Sequence, residues 1–358
     1  ATLTLGHSDT VATLTMAGTS ITTTTLNGGP ALTLSADTYT LTHATTNAAL
    51  GDGVLTSDGN TTFNAAVGAT DLTVQSGTLT VVGPNLLAPT AAVAVNAGAT
   101  LQLNSEQSIG SLQLLGTLNG AALNANSYFL NNATQTNDLT GNSLTSEGLS
   151  FLNGSFTGST VTVNNGTLTL GSASRLLTAP DLTVNGTLSL GGNETVGSLS
   201  GSGRVQLAAA VTGDRTLFTG ASGASTFAGV LADNPSDNAA GSTLGLTKQG
   251  SSSFTLTGAS TYSGTTTVAA GTLAVGGSLT STTIDVNAGT LALNSGSIDR
   301  LDNGAVVSVA DGAAFDLLNT SEQIGSLALT GKLGGIGTLT ATTYNLSSGT
   351  VNTALGAG

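Results

Sequence analysis

The chain reads as an all-β protein whose fold class is a parallel β-helix, a solenoid of about 20 residues per coil. Three observations predict this. Thr, Ser, Asn and 50 Gly dominate 358 residues of which only 7% are charged; Thr favours strands, whereas Gly and Asn favour turns. Short strands with period-two alternation recur, each opened by a glycine. The copies also return at nearly fixed spacing. Pro numbers only 5 and Leu recurs throughout, unlike the Pro-rich, charge-rich composition of disordered chains.

The glycine-led strand appears as Gly77-Thr78-Leu79-Thr80-Val81, Gly98-Ala99-Thr100-Leu101-Gln102-Leu103 and Gly116-Thr117-Leu118. It returns as Gly166-Thr167-Leu168-Thr169-Leu170, Gly186-Thr187-Leu188-Ser189-Leu190, Gly271-Thr272-Leu273-Ala274-Val275 and Gly289-Thr290-Leu291-Ala292-Leu293. From Gly77 to Gly98 to Gly116, from Gly166 to Gly186, and from Gly271 to Gly289, the step stays close to one coil. Within a copy, Leu168 and Leu170 point one way, and Thr167 and Thr169 the other. A second alternating strand lies just upstream: Val161-Thr162-Val163, Leu182-Thr183-Val184, Thr266-Thr267-Val268 and Ile284-Asp285-Val286. Asn165-Gly166, Asn185-Gly186, Ala270-Gly271 and Ala288-Gly289 separate the two. Such links often mark hairpins, but a hairpin meander would not restore one strand type every coil. A three-sided coil does, with Gly supplying positive φ at the corner. Interior Leu, Val and Ile then stack in ladders, each side chain worth roughly 1.5–3 kcal/mol. The expected rod of roughly 18 coils, at about 4.8 Å per rung, is about 85 Å long.

A longer repeat spans several coils. Ser105-Glu106-Gln107-Ser108-Ile109-Gly110-Ser111-Leu112 returns as Glu194-Thr195-Val196-Gly197-Ser198-Leu199 and as Ser321-Glu322-Gln323-Ile324-Gly325-Ser326-Leu327. Tyr39, Tyr128 and Tyr344 form a second marker. The step from Tyr39 to Tyr128 nearly equals that from Ile109 to Val196, whereas the step from Val196 to Ile324 is longer. The expected organisation is one continuous β-helix over 1–358, a fragment of a larger protein, with long repeats at about 39–127, 128–283 and 284–358. The middle repeat carries the extra text, with a loop at 232–241 around Pro235.

The run from Leu246-Thr247-Lys248-Gln249-Gly250 through Phe254-Thr255-Leu256-Thr257-Gly258, Tyr262-Ser263-Gly264 and Val268-Ala269-Ala270-Gly271-Thr272-Leu273 resembles the passenger-associated repeat of bacterial autotransporters, roughly L-x-K-x-G-x-G-x-L-x-L-x-G-x-N-x-Y-x-G-x-T-x-V-x-x-G-x-L. The autotransporter-type repeat spans 244–277. Ser252 stands where Gly is usual and Ser260 where Asn is usual, which alters the local turns. The resemblance implies a secreted, right-handed parallel β-helix on a Gram-negative surface, of autotransporter or two-partner-secretion (filamentous-haemagglutinin-like) type. An outer-membrane translocator is then its partner during export.

Net charge is −13, and the six basic residues, Arg175, Arg204, Arg215, Lys248, Arg300 and Lys332, are scattered. Nucleic acid and anionic membrane surfaces need clustered cations, so neither is an expected partner. No apolar run reaches the roughly 18 residues of a membrane-spanning helix. Absence of cysteine excludes disulfides and thiolate sites.

No constellation of catalytic, cofactor-binding or metal-ligating residues stands out. His7-Ser8-Asp9 holds the residue types of a triad, but sequence neighbours lack its geometry; His43 is the other histidine. The closest acids are Asp233/Asp237 and Asp299/Asp302 around Arg300. Glu106, Glu194 and Glu322 recur at equivalent places and read as corner caps. Phe151, Phe156, Phe218, Phe227, Phe254 and Phe315 fall in alternating runs and read as core, whereas a Tyr39/Tyr128/Tyr344 row is the candidate exposed aromatic face. Outward Thr/Thr pairs vary to Thr/Gln and Thr/Ala, which argues against a lattice-matching ice face. The expected role is non-enzymatic: a rod segment of a large exported adhesin at the bacterial cell surface, supporting cell–cell or cell–matrix adhesion and biofilm formation. Its partners would be other cells, matrix polysaccharide or itself. A β-helix polysaccharide lyase or hydrolase, and a passive stalk, are the alternatives.

Overall fold

The computed structural model describes all residues except 20–22, 30, 210, 234–240, 295–298 and 358. Among the described residues every regular element is a β-strand, and every ladder between strands is parallel. The chain divides into two compact units, Ala1–Ser159 and Thr160–Gly358, and each is a parallel β-solenoid.

In the first unit, Asp71–Val74, Ala92–Val95 and Gln107–Leu114 are consecutive rungs of one sheet, while Thr78–Val81, Thr100–Leu103 and Thr117–Gly120 are consecutive rungs of another. The glycine-led strands singled out by spacing are thus stacked neighbours. Coil length is variable: a long coil sets Leu34 against Asp9, whereas a much shorter one sets Val54 against Thr38.

The second unit shows all three sides of a coil. Asp181–Val184, Thr187–Leu190 and Glu194–Thr195 lie on three sheets, and Ser198–Ser200, Arg204–Leu207 and Arg215–Thr219 of the next turn stack on them in the same order. From Leu244–Lys248 onward, two sides carry the long strands, and the third is reduced to isolated bridges such as Ser260 to Leu279.

Alternation builds the core. Leu79, Leu101 and Leu118 stack in register in the first unit, and Phe254, Leu273, Leu291, Phe315 and Leu333 in the second; all are fully buried. Phe156 and Phe227 are buried as expected. Phe151 and Phe218 are not core: each stands one place out of phase with its buried neighbours, Leu152 and Leu217, and is half-exposed.

The corner glycines divide into two kinds. Gly271, at φ 66°, adopts the left-handed conformation expected of it, whereas Gly186 does not. Gly186 is needed for close approach instead, because a Cβ there would fall 2.7 Å from the Gly166 carbonyl oxygen. The same contact recurs up the second unit. Gly203 presses on Gly186, Gly229 on Gly203, Gly258 on Gly229 and Gly277 on Gly258, so stacked glycines form a spine with no room for a side chain.

Candidate functional site

Two tyrosines of the row are internal, contrary to the exposed face considered from sequence, and Tyr344 is half-buried. Tyr39 and Tyr128 are each 1% exposed. In the strands that carry them, alternation skips a beat: Asp37 and Thr38, then Asn126 and Ser127, are two successive outward residues, so the next side chain returns to the interior. The Tyr39 hydroxyl accepts from Ala36 N at 2.8 Å and donates toward Leu34 O and Asp52 O. Tyr128 donates toward Leu123 O at 2.7 Å and Thr140 O at 2.8 Å. Tyr344 repeats the pattern with Ala341 N, Leu339 O and Gly356 O. Each phenol stitches a strand bend to the following coil. Burial raises the Tyr39 and Tyr128 pKa values, and Phe156 packs edge-on against the Tyr128 ring, centroids 6.1 Å apart.

The acidic repeat is a cap, but with one member displaced. Glu106 is exposed, and the place equivalent to Glu322 belongs to Gln107. Gln107 faces Leu123 just as Glu322 faces Leu339. Gln107 Oε1 accepts from Leu86 N at 2.9 Å and Leu87 N at 3.1 Å, and its Nε2 donates to Gly83 O and Ser105 O. Glu194 accepts from Arg175 N and Leu176 N. Glu322 accepts from Arg300 N and Leu301 N. All three side chains are at most 3% exposed. Burial, helped by the adjacent Asp299 carboxyl and opposed by the two amides, pushes the Glu322 pKa up to about 8. Burial also raises that of Glu194, against the pull of the Arg175 and Leu176 amides and the Arg175 charge.

The remaining candidates do not converge into a reactive centre. Asp299 pairs with Glu322 across coils rather than with Asp302, whose Oδ1 caps Gly304 N. Arg300 is buried, and its guanidinium donates to the carbonyls of Asn294, Gly276 and Gly277. Asp233 spends both oxygens on Leu244 N and on the Ser263 amide and hydroxyl; Asp237 and Pro235 lie outside the described residues, as does most of the 232–241 loop. Ser8 Oγ accepts from Thr33 N, and exposed His7 turns to Ser8 O, so no triad forms. His43, at φ 48°, lies under Gly59. Among the described residues, no three His, Cys, Asp or Glu side chains gather in a group able to hold a metal ion.

The segment that resembles a known repeat has an internal logic of its own. Lys248 sits in the interior column between Thr219 and Val268 and is fully buried. Its ammonium donates to the carbonyls of Gln249 at 2.8 Å, Gly250 at 2.9 Å and Ala270 at 3.1 Å, which closes the corner between two coils. Burial lowers its pKa. Tyr262 is fully buried with its hydroxyl 2.7 Å from Thr266 Oγ1. Ser252, in place of Gly, donates to Gly220 O and Ser222 O, and buried Ser260, in place of Asn, accepts from Leu231 N.

Residues 246–275 match the family model of the passenger-associated-transport-repeat. No curated protein and no solved structure matches the chain. The matched repeat, built into a parallel β-solenoid, fits an autotransporter passenger, and this repeat family implies a secreted or surface-exposed protein.

Proposed function

We propose that this solenoid is a segment of a large exported adhesin on a Gram-negative cell surface, of autotransporter or two-partner-secretion type, which supports cell–cell or cell–matrix adhesion and biofilm formation. The observation that carries this reading is the matched repeat at 246–275. Its one lysine and its corner glycines serve coil stacking. A non-enzymatic role is supported by the way the buried ionisable groups are used: Lys248, Glu194, Arg300 and Glu322 all bond to backbone. Other cells, matrix polysaccharide or a second copy are the proposed partners, with an outer-membrane translocator during export.

The test is a segment swap in the parent protein. Residues 1–358 are replaced by an inert β-helix of equal length, and cell aggregation and matrix binding are measured with surface display held constant. The adhesive reading expects adhesion to be lost. Adhesion that survives the swap makes the segment a passive stalk.

A further inference from the structure

One sheet face of the first unit carries an open groove of about 610 Å³. It crosses five rungs, from the strand Asp71–Val74 to the strand Ser143–Glu147, or roughly 19 Å at the parallel-strand spacing. Register sets its composition. One outward column runs Asp71, Ala92, Ser111, Ser127 and Ser143, and the side chains after the first are small, which leaves a trough. The adjacent column runs Thr73, Ala94, Gln113, Phe129 and Thr145, and raises a wall with an aromatic ring beside a carboxamide. Phe129 faces outward because its neighbours Tyr128 and Leu130 are both buried.

Charge decides what fits. Among the described residues no cation lines the groove, Asp71 is its one carboxylate, and the whole chain carries −13. A polyanion is therefore repelled. A wholly apolar partner would strip water from the Ser and Thr hydroxyls and from Gln113 without replacing their hydrogen bonds. An uncharged polyhydroxyl chain satisfies both conditions. Hydroxyls and a carboxamide each donate and accept, and the flat Phe129 ring offers a contact for the apolar face of a sugar ring. A surface repeating rung by rung also suits a ligand that repeats unit by unit. We infer that this groove binds an uncharged polysaccharide strand laid along the stacking direction, with Phe129 as its stacking platform. This rests on the adhesive reading above and names its ligand class.

The test uses the full chain in affinity gel electrophoresis against three uncharged polysaccharides, galactomannan, xyloglucan and dextran, with polygalacturonate as the charged counterpart. At least one uncharged glycan retards the chain. Phe129→Ala weakens that retardation at least tenfold, and Ser111→Phe, which fills the trough, abolishes it. Both variants alter outward side chains, and far-UV circular dichroism checks that they keep the parent fold. Polygalacturonate gives no retardation. The proposal is overturned if no uncharged glycan retards the chain, if both variants behave as the parent, or if polygalacturonate binds equally. Cell aggregation separates the two readings. Aggregation that needs this chain, without any glycan retardation, keeps the adhesive reading and removes the groove. Glycan retardation lost in Phe129→Ala, with the segment swap leaving adhesion intact, does the reverse.

Discussion

Gln107 in the first unit and Glu322 in the second occupy the same place in their coils. Each opens a strand that continues through Ile-Gly-Ser-Leu, and each accepts from two consecutive backbone amides of the preceding coil. They differ in the rest of their chemistry. The Gln107 carboxamide also donates to two carbonyls, so its polar atoms are matched without any charge being desolvated. The Glu322 carboxyl sits beside Asp299 and is buried, so it keeps its proton up to about pH 8. The corner therefore selects a planar acceptor that reaches two amides, and a carboxylate is a poorer occupant than an amide.

The harshest break is Gln107→Ala. It orphans Leu86 N, Leu87 N and two carbonyls and leaves a cavity, at an expected cost of about 3 kcal/mol. Urea unfolding, with hydrogen exchange read at the Leu86 and Leu87 amides, measures it; a change below about 0.5 kcal/mol would mean that the cap is decorative.

Exchanging the two side chains sharpens the comparison. Between the ordinary carboxyl value of 4.5 and about 8, folded Glu322 holds a proton that the unfolded chain has released. Stability from this group is complete below that window, falls as pH rises through it, and is flat above. Glu322→Gln should remove this slope and leave the protein more stable than its parent above pH 8, by a few kcal/mol. Gln107→Glu should create such a slope in the first unit. Urea midpoints measured from pH 4 to 9 decide both, and identical slopes in parent and Glu322→Gln would refute the assignment.

Lys248 is the cationic counterpart, with three carbonyls in place of two amides. Lys248→Met keeps the interior column filled but leaves those carbonyls unpaired, for a loss of about 1–2 kcal/mol, seen as faster exchange across residues 246–275. The smallest effect expected is from Tyr128→Phe. It keeps the buried ring and removes only the stitch to Leu123 O and Thr140 O, costing about 1 kcal/mol. A thermal melt of the purified variant measures this.

The stacking was legible because it rests on local period: glycine spacing and Leu alternation needed nothing beyond the chain itself. Gln107 was not legible, because matching acids by identity selects Glu106, while the structure matches by register and accepts an amide. The Tyr128 place was hidden for a related reason. Two outward residues in succession reverse the alternation, and nothing in Asn126-Ser127-Tyr128 announces the slip. The Asp299/Glu322 pair and the groove are assembled from residues a coil or more apart, so only the register brings them together.

The glycine spine of the second unit gives this architecture a lopsided tolerance. Its coils range from the short one that sets Ala354 against Thr338 to the far longer one that sets Leu244 against Arg215. The strands keep their parallel register in both cases, so the difference in length is taken up between them. At the spine, by contrast, one added carbon meets the carbonyl below it and forces two rungs apart. Loops between strands can differ widely in length, yet each coil in the run from Gly186 to Gly277 carries its own glycine at the spine. The molecule absorbs a whole inserted loop more easily than a single methyl group.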